Sequence, residues 1–456
     1  MKRNLLYIIL LLVLAACGGQ AGTDPAPVRA IQPTEIAVLT PSKRPNYLIY
    51  QVNPKLYGGS GAFGKIQARL DDIRALGTDI LYLMPVYPEG RAKAIGSPYC
   101  IRDFTGVNNA YGGLEDLRAL VNAAHAKGMK VLFDWVANHT AWDHPWITEH
   151  SDWYEKNAKG EIVCPTKDGT WSDVAQLNYA NKDLWTAMTA ALRYWIEELG
   201  IDGFRCDYAH GVRDDFWKDA ISQLRALRPD LIMLAESDYT RMFDDGFDLI
   251  FDRAMKSHVR SVWGTSEKLV DFVTWYRNDL GSTPTGKARL FFTTNHDDAT
   301  EASPIDQFKG KNGALAALVL MASLNGTTMV YGSQEAANAQ IINFFNTQNF
   351  NWGQDADYTQ RYQEVLSALR SVDRSGAMRA WSAGQSLLLY YSPTSGSRGS
   401  LIVVNTGSAA LTVALPATLA KLPVGSEVAS SAGSPSDTLP DTVSLEAYGY
   451  HVWLLQ

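Results

Sequence analysis

Cysteine is scarce in this chain, with four residues in 456. That is too few for a disulfide framework, and no Cys/His cluster has the spacing of a zinc site. Positive charge is also in deficit: 41 Lys and Arg face 48 Asp and Glu, for a formal charge of -7. No net field exists to pull the chain onto a phosphate backbone, so nucleic acid is not an expected partner. No Gly-rich phosphate turn follows the first predicted strand, which removes the signature of a dinucleotide-binding open sheet. Repeats and charge blocks are missing too. What the chain does have is a 46% hydrophobic fraction, ample for a large core, and a wealth of aromatics: 13 Trp, 21 Tyr and 15 Phe. So much tryptophan suits a surface that stacks on flat apolar faces such as sugar rings.

The N-terminus points to a compartment. Lys2 and Arg3 precede an apolar run from Leu5 to Ala16, followed by Cys17, Gly18 and Gly19. At 1.5 Å per residue the run covers only ~18 Å, short of the ~30 Å needed to span a bilayer core. A basic head and a short apolar stretch read as an export signal. Its end, Leu14-Ala15-Ala16-Cys17, resembles the lipobox of bacterial lipoproteins. That resemblance implies a signal peptide over 1–16, lipidation of Cys17 and anchoring in a bacterial membrane. In a Gram-negative organism this would be the outer membrane, on its periplasmic or surface face. Of the remaining cysteines, Cys100 and Cys164 are available to pair in an oxidising compartment, and Cys206 falls in a predicted strand. Residues 17–46, rich in Gly, Pro, Thr and Ala, read as a tether.

From Tyr47 to residue 378, strand-like apolar runs alternate with amphipathic helical stretches. Eight runs stand out: 47–53, 79–86, 130–136, 201–209, 231–237, 247–252, 288–297 and 327–333. Between the first two, Ile66, Leu70, Ile73 and Leu76 recur at helical spacing, and Gly77 supplies a left-handed stop. Eight strands with helical connections predict an α/β fold, a closed (β/α)8 TIM barrel. The stretch 139–180 is too long for an ordinary loop. It carries Trp142, His144, Trp146, His150, Trp153 and Trp171, and it reads as a small subdomain inserted after strand three, beside the barrel mouth. Beyond 379 the pattern turns to short β-rich runs broken by Gly, Ser and Pro, predicting a C-terminal antiparallel β-sandwich over 379–456.

In such barrels the C-terminal strand ends face the pocket, so polar residues there are candidates for chemistry. Strand three ends in Asp134 to His139, strand four carries Arg205, Asp207 and then His210, strand five ends in Glu236, and strand seven ends in Asn295-His296-Asp297. Arg205 and Asp207 are two apart on a strand and share a face. The arginine's fixed charge favours an ionised Asp207, as a nucleophile needs. Glu236 follows an apolar strand whose burial would keep a proton on it. An ionised and a protonated carboxyl together are the minimum equipment for glycosidic cleavage. Asp297 is a third acid able to bind sugar hydroxyls.

These residues carry a specific resemblance. DWVANH (134–139), GFRCDYAH (203–210), AE (235–236) and FFTTNHD (291–297) appear in the order of the four short motifs of the α-amylase family, glycoside hydrolase family 13. The resemblance covers about 47–456. It implies Asp207 as nucleophile, Glu236 as general acid/base and Asp297 as transition-state stabiliser. It implies that Arg205, His139 and His296 contact the sugar, that Tyr99 stacks on it and that Asp134 supports the pocket through Arg205. The implied activity is hydrolysis of α-1,4 links in starch, maltodextrin or a related α-glucan. An exo-α-glucosidase, a transglycosylase or branching enzyme, and a non-catalytic glucan-binding lipoprotein are the alternatives. The family's frequent Lys-His after the nucleophile is replaced by His210 and Gly211, which opens the question of product pattern. Its usual calcium site uses Asn138 and an acid in the inserted subdomain. Here VAQLN (174–178) offers Gln176 instead, a poorer ligand for a hard dication, with Asp173 nearby as a substitute. Calcium is thus left open, no organic cofactor is implied, and oligomeric state is not indicated.

Overall fold

The computed structural model describes residues 29–456, apart from 41–42, 59, 167–168, 265–267, 395–397 and 432–437. The signal peptide, Cys17 and the first part of the tether lie outside the described residues. No described helix is long and apolar enough to cross a membrane.

Eight parallel strands close into a barrel: Leu48–Val52, Ile80–Leu83, Lys130–Trp135, Gly203–Cys206, Ile232–Ala235, Leu249–Phe251, Ala288–Phe292 and Thr327–Tyr331. The last pairs with the first, Thr328 opposite Leu48 and Tyr331 opposite Gln51, so no sheet edge is left open. Inward-pointing Ile49, Ile80, Leu132, Leu234, Leu290 and Met329 plug the interior, as expected for a packed barrel core. One glycine is required by this packing. Gly203 sits at φ 153°, and a Cβ there would meet the Ile232 carbonyl oxygen at 1.9 Å. The strand that presents Arg205 therefore runs closer to its neighbour than any side chain would permit.

The helical stretch after the first strand is interrupted. Two helices, Ala62–Ala68 and Leu70–Ala75, meet at Arg69, whose φ and ψ are -101° and 3°. Its guanidinium lies over the Trp352 ring at 3.9 Å and pairs with buried Glu335 at 3.5 Å, and those tertiary contacts accompany the break in the predicted continuous helix. Gly77 takes the left-handed conformation at φ 88°, as the sequence predicts.

The insertion after the third strand is built on a short antiparallel pair, His139–Ala141 with Val174–Gln176. The C-terminal region forms a six-stranded antiparallel sheet faced by a two-stranded one, Leu411–Ala414 with Thr442–Leu445. Trp381, Leu388, Val403, Val413, Val443 and Trp453 fill the space between them. One edge of the larger sheet comes from the other end of the chain: Thr34–Leu39 pairs antiparallel with Met378–Ala383, and Arg379 holds Glu35 through two 2.8 Å bonds. The expected tether over 17–46 is corrected here, because 34–39 is a strand with Ala37 and Leu39 buried against the sheet. Among the described residues the cysteines do not pair. Cys100, Cys164 and Cys206 are free thiols, with Cys100 and Cys164 donating to the carbonyls of Asp173 and Thr166.

Candidate active site

The strand periodicity that fills the barrel core also builds the site. Two residues beyond the inward Ile49, Leu132, Gly203 and Leu234, the same strand faces present Gln51, Asp134, Arg205 and Glu236 at the C-terminal mouth. Tyr82 reaches them from the second strand. Arg205 is fully buried. Its Nη1 donates to Asp134 at 2.7 Å and to Asp207 at 2.9 Å, and its Nη2 lies 3.0 Å from Glu236 Oε1. A single guanidinium thus gathers three acids.

Asp134 is the fixed point of this cluster. Besides Arg205 it accepts hydrogen bonds from Tyr82 at 2.5 Å and Tyr99 at 2.9 Å. The Tyr99 hydroxyl in turn lies 2.8 Å from His296 Nε2, while Gln51 Nε2 donates to His296 Nδ1 at 2.9 Å. Gln51 thereby leaves the ring proton on Nε2, the nitrogen that meets Tyr99. Burial, helped by Arg205, drives the His296 imidazole down to about 3, and burial drives His139 down to about 4. Both rings are neutral at ordinary pH. The Tyr99 ring stacks on His296 at 5.2 Å, with Phe344 edge-on to both.

Glu236 is not in the apolar setting its strand suggests. Tyr208, held at φ 42°, donates its backbone N–H to Oε2 at 2.8 Å, and Arg253 donates to Oε1 at 2.8 Å. Arg253 is itself tied to Asp238 at 2.9 Å. Asp207 also departs from expectation. Burial first, then the neighbouring Glu236 carboxylate, push it well above the usual carboxylate range, against the pull of Arg205. One guanidinium shared among three acids does not offset that burial.

These groups line a cleft of about 600 Å³, with Asp207, Glu236 and Asp297 in its wall beside Tyr99, His139 and His296. His210 lines it from the turn after the fourth strand, its ring against Tyr208 and Tyr239. Of the insertion's four tryptophans, Trp171 reaches the cleft, edge-on to His139 at 5.8 Å and to Tyr208 at 5.1 Å. Trp153 is buried in the core. Asp173 turns to the cleft wall beside Trp171. Asn138 and Gln176 face each other below it, the Gln176 Nε2 donating to Asn138 O and Leu177 O, each at 3.0 Å.

Sequence reasoning missed Arg253, Gln51, Tyr82 and the Phe344–Phe345 lip. Arg253 had a signal, because it sits two residues past the end of the sixth barrel strand. Gln51 and Tyr82 lie within apolar runs and look like core positions. Phe344 and Phe345 lie in a loop without periodicity.

A closed parallel barrel with acids on neighbouring strand ends, gathered by one buried arginine, is the architecture of a sugar-processing barrel enzyme. Residues 53–387 match the family model for the alpha-amylase catalytic domain, and the chain belongs to that family. It is 27% identical over 386 residues to an alpha-1,4-glucan:maltose-1-phosphate maltosyltransferase of Rhodospirillum rubrum, covering 76% of this chain and 54% of that protein. It is 26% identical over 424 residues to the alpha-amylase MalA of Haloarcula japonica, covering 88% of this chain and 60% of that protein. The chain therefore spans little more than half the length of these curated relatives. The crystal structure of the maltogenic alpha-amylase AmyB from Thermotoga neapolitana superposes with a TM-score of 0.79 at 22% identity, over 90% of this chain and 99% of that one, a likeness of fold.

Proposed function

We propose that the protein is a retaining glycoside hydrolase that cuts α-1,4-glucosidic bonds in starch, maltodextrin or a related α-glucan. The observation that carries this reading is the Arg205 bridge. Asp207 and Glu236 arise from adjacent strands, and both lie within 3.0 Å of one guanidinium. That supports the close carboxyl spacing of double displacement, about 5–5.5 Å, rather than the wider gap an inverting enzyme leaves for water.

Glu236 protonates the glycosidic oxygen while Asp207 attacks the anomeric carbon, forming a glycosyl-enzyme ester. Glu236, now a carboxylate, takes a proton from water, and the water oxygen displaces Asp207. Asp297 stabilises the positive charge that develops on the ring in both transition states. In the free enzyme Glu236 is held by the Tyr208 N–H and by Arg253, and burial holds Asp207 above its ordinary range.

The cleft wall favours a neutral leaving group. Asp173, Asp207, Glu236 and Asp297 line it, and the one lining arginine among the described residues, Arg253, is paired with Asp238 and Glu236. A phosphorylated donor of the kind named for the Rhodospirillum relative would meet repulsion there.

Incubation with amylose, pullulan and maltotriose, with the product anomer read before mutarotation, tests the proposal. Short maltooligosaccharides appearing in the α configuration are expected. β products would overturn retention, and turnover only with maltose 1-phosphate would overturn hydrolysis. We also infer export and anchoring through Cys17. Cys17→Ser should move the protein from the membrane to the soluble fraction of the producing cell.

A further inference from the structure

The family resemblance implies a calcium ion between Asn138 and the inserted subdomain, and the side chains there do not fit one. Calcium takes six to eight oxygens at about 2.3–2.6 Å, with carboxylates among them to offset its hydration. Here the oxygens that would face it are neutral and already occupied. Gln176 Nε2 lies 3.0 Å from Asn138 O, 3.0 Å from Leu177 O and 3.3 Å from Asn138 Oδ1. Those are ordinary N–H···O distances, so the amide already takes up these oxygens. The orientation of the amide follows from its surroundings, since the opposite one would set Oε1 against three oxygens. Asn138 completes a reciprocal pair by donating its Nδ2 to Gln176 Oε1 at 3.3 Å, and the same nitrogen lies 3.3 Å from His139 Nδ1. Asn138 is 1% exposed, so each of these oxygens must be satisfied internally. Gly211 closes the arrangement, since a Cβ there would come within 3.0 Å of Asn138 Oδ1.

We propose that the Gln176 side-chain amide is a built-in substitute for a cation. Its N–H groups collect the oxygens that a metal would otherwise collect. They lock the insertion's strand Val174–Gln176 to the end of the third barrel strand without calcium. Through Asn138 they orient His139 in the cleft. Gln176 is thus a positioning residue for His139, and the chain carries its own tie where a metal-dependent relative would need an ion.

The test compares melting temperature and kinetics in EGTA and in excess calcium for the wild type, Gln176→Ala and Gln176→Asp. The wild type should melt at the same temperature in both. Gln176→Ala should melt lower in both and, assayed well below its melting point, lose about tenfold in kcat/KM, the usual scale for a lost supporting hydrogen bond. Gln176→Asp restores a carboxylate, so it should melt lower in EGTA and recover in calcium, with kcat/KM recovering alongside. A wild-type melting temperature that falls in EGTA and returns with calcium would overturn the proposal. So would a Gln176→Ala variant unchanged in melting and kinetics, or a Gln176→Asp variant indifferent to calcium. The kinetic arm rests on the glucan-hydrolase reading and the melting arm does not, so the failure of either can be told apart.

Discussion

Asp207 must be a bare carboxylate when the anomeric carbon arrives, and burial and the Glu236 carboxylate raise its pKa against the pull of Arg205. Asp207→Asn removes the nucleophile without changing its size. It should lower kcat by several orders of magnitude and leave glucan affinity, measured calorimetrically, close to normal. Near-normal turnover would show that another group attacks. Arg253 holds the neighbouring acid, Glu236. Replacing it with glutamine removes a charge-assisted hydrogen bond of 2.8 Å to Glu236 Oε1, so the acid is less firmly placed. kcat/KM should fall about tenfold, the usual scale for a lost supporting hydrogen bond, and an unchanged value would show that Arg253 does not position the acid. At this scale the sequence was readable where strand position and residue type coincided. Asp134, Arg205, Asp207, Glu236, Asp297, His139, His296 and Tyr99 all meet in one cleft or its floor. The hydrogen-bond partners of those acids were not readable, because they depend on which donors the fold brings close. Arg253 comes 17 positions after Glu236, and no local pattern links the two.

Elements were legible when their periodicity was long and misread when composition dominated. The eight barrel runs stand in the sequence as apolar blocks with helical stretches between most of them. Strand Thr34–Leu39 does not stand out, because its neighbours are rich in Pro and Thr and its two buried residues, Ala37 and Leu39, are too few to establish a period. Its partner lies more than 340 positions away, beyond the reach of any local pattern. Leu39 is 5% exposed, and Leu39→Ala should lower unfolding stability by about 2–3 kcal/mol, the usual cost of emptying a buried leucine site. Chemical denaturation would check this, with a midpoint unchanged from wild type indicating that the strand is dispensable. The helix break at Arg69 has a similar origin. Helical spacing runs through it unbroken, and what interrupts it, Glu335 and Trp352, comes from beyond the last barrel strand.

For the molecule as a whole, the buried neutral histidines set a pH dependence. His139 and His144 are held at about 4 and His296 at about 3, each below its ordinary 6.5. In the unfolded chain they take up protons near 6.5, so the folded state loses stability as pH falls from there toward 3–4. Each contributes up to about 1.4 kcal/mol per pH unit within that window. The melting temperature should therefore decline through this range, and His139→Asn should decline less steeply. An equal slope in both proteins would mean that other groups govern acid unfolding. The edge strand also bears on the order in which the chain can fold. Thr34–Leu39 is made early, but its partner strand Met378–Ala383 emerges only after the entire barrel sequence. Until then its hydrogen-bonding edge must wait unpaired while the barrel is made, and closing so distant a contact is slow. Pairing of Thr34–Leu39 with Met378–Ala383 is thus a late event, and it joins the two flanks of the barrel only after the barrel sequence has been made.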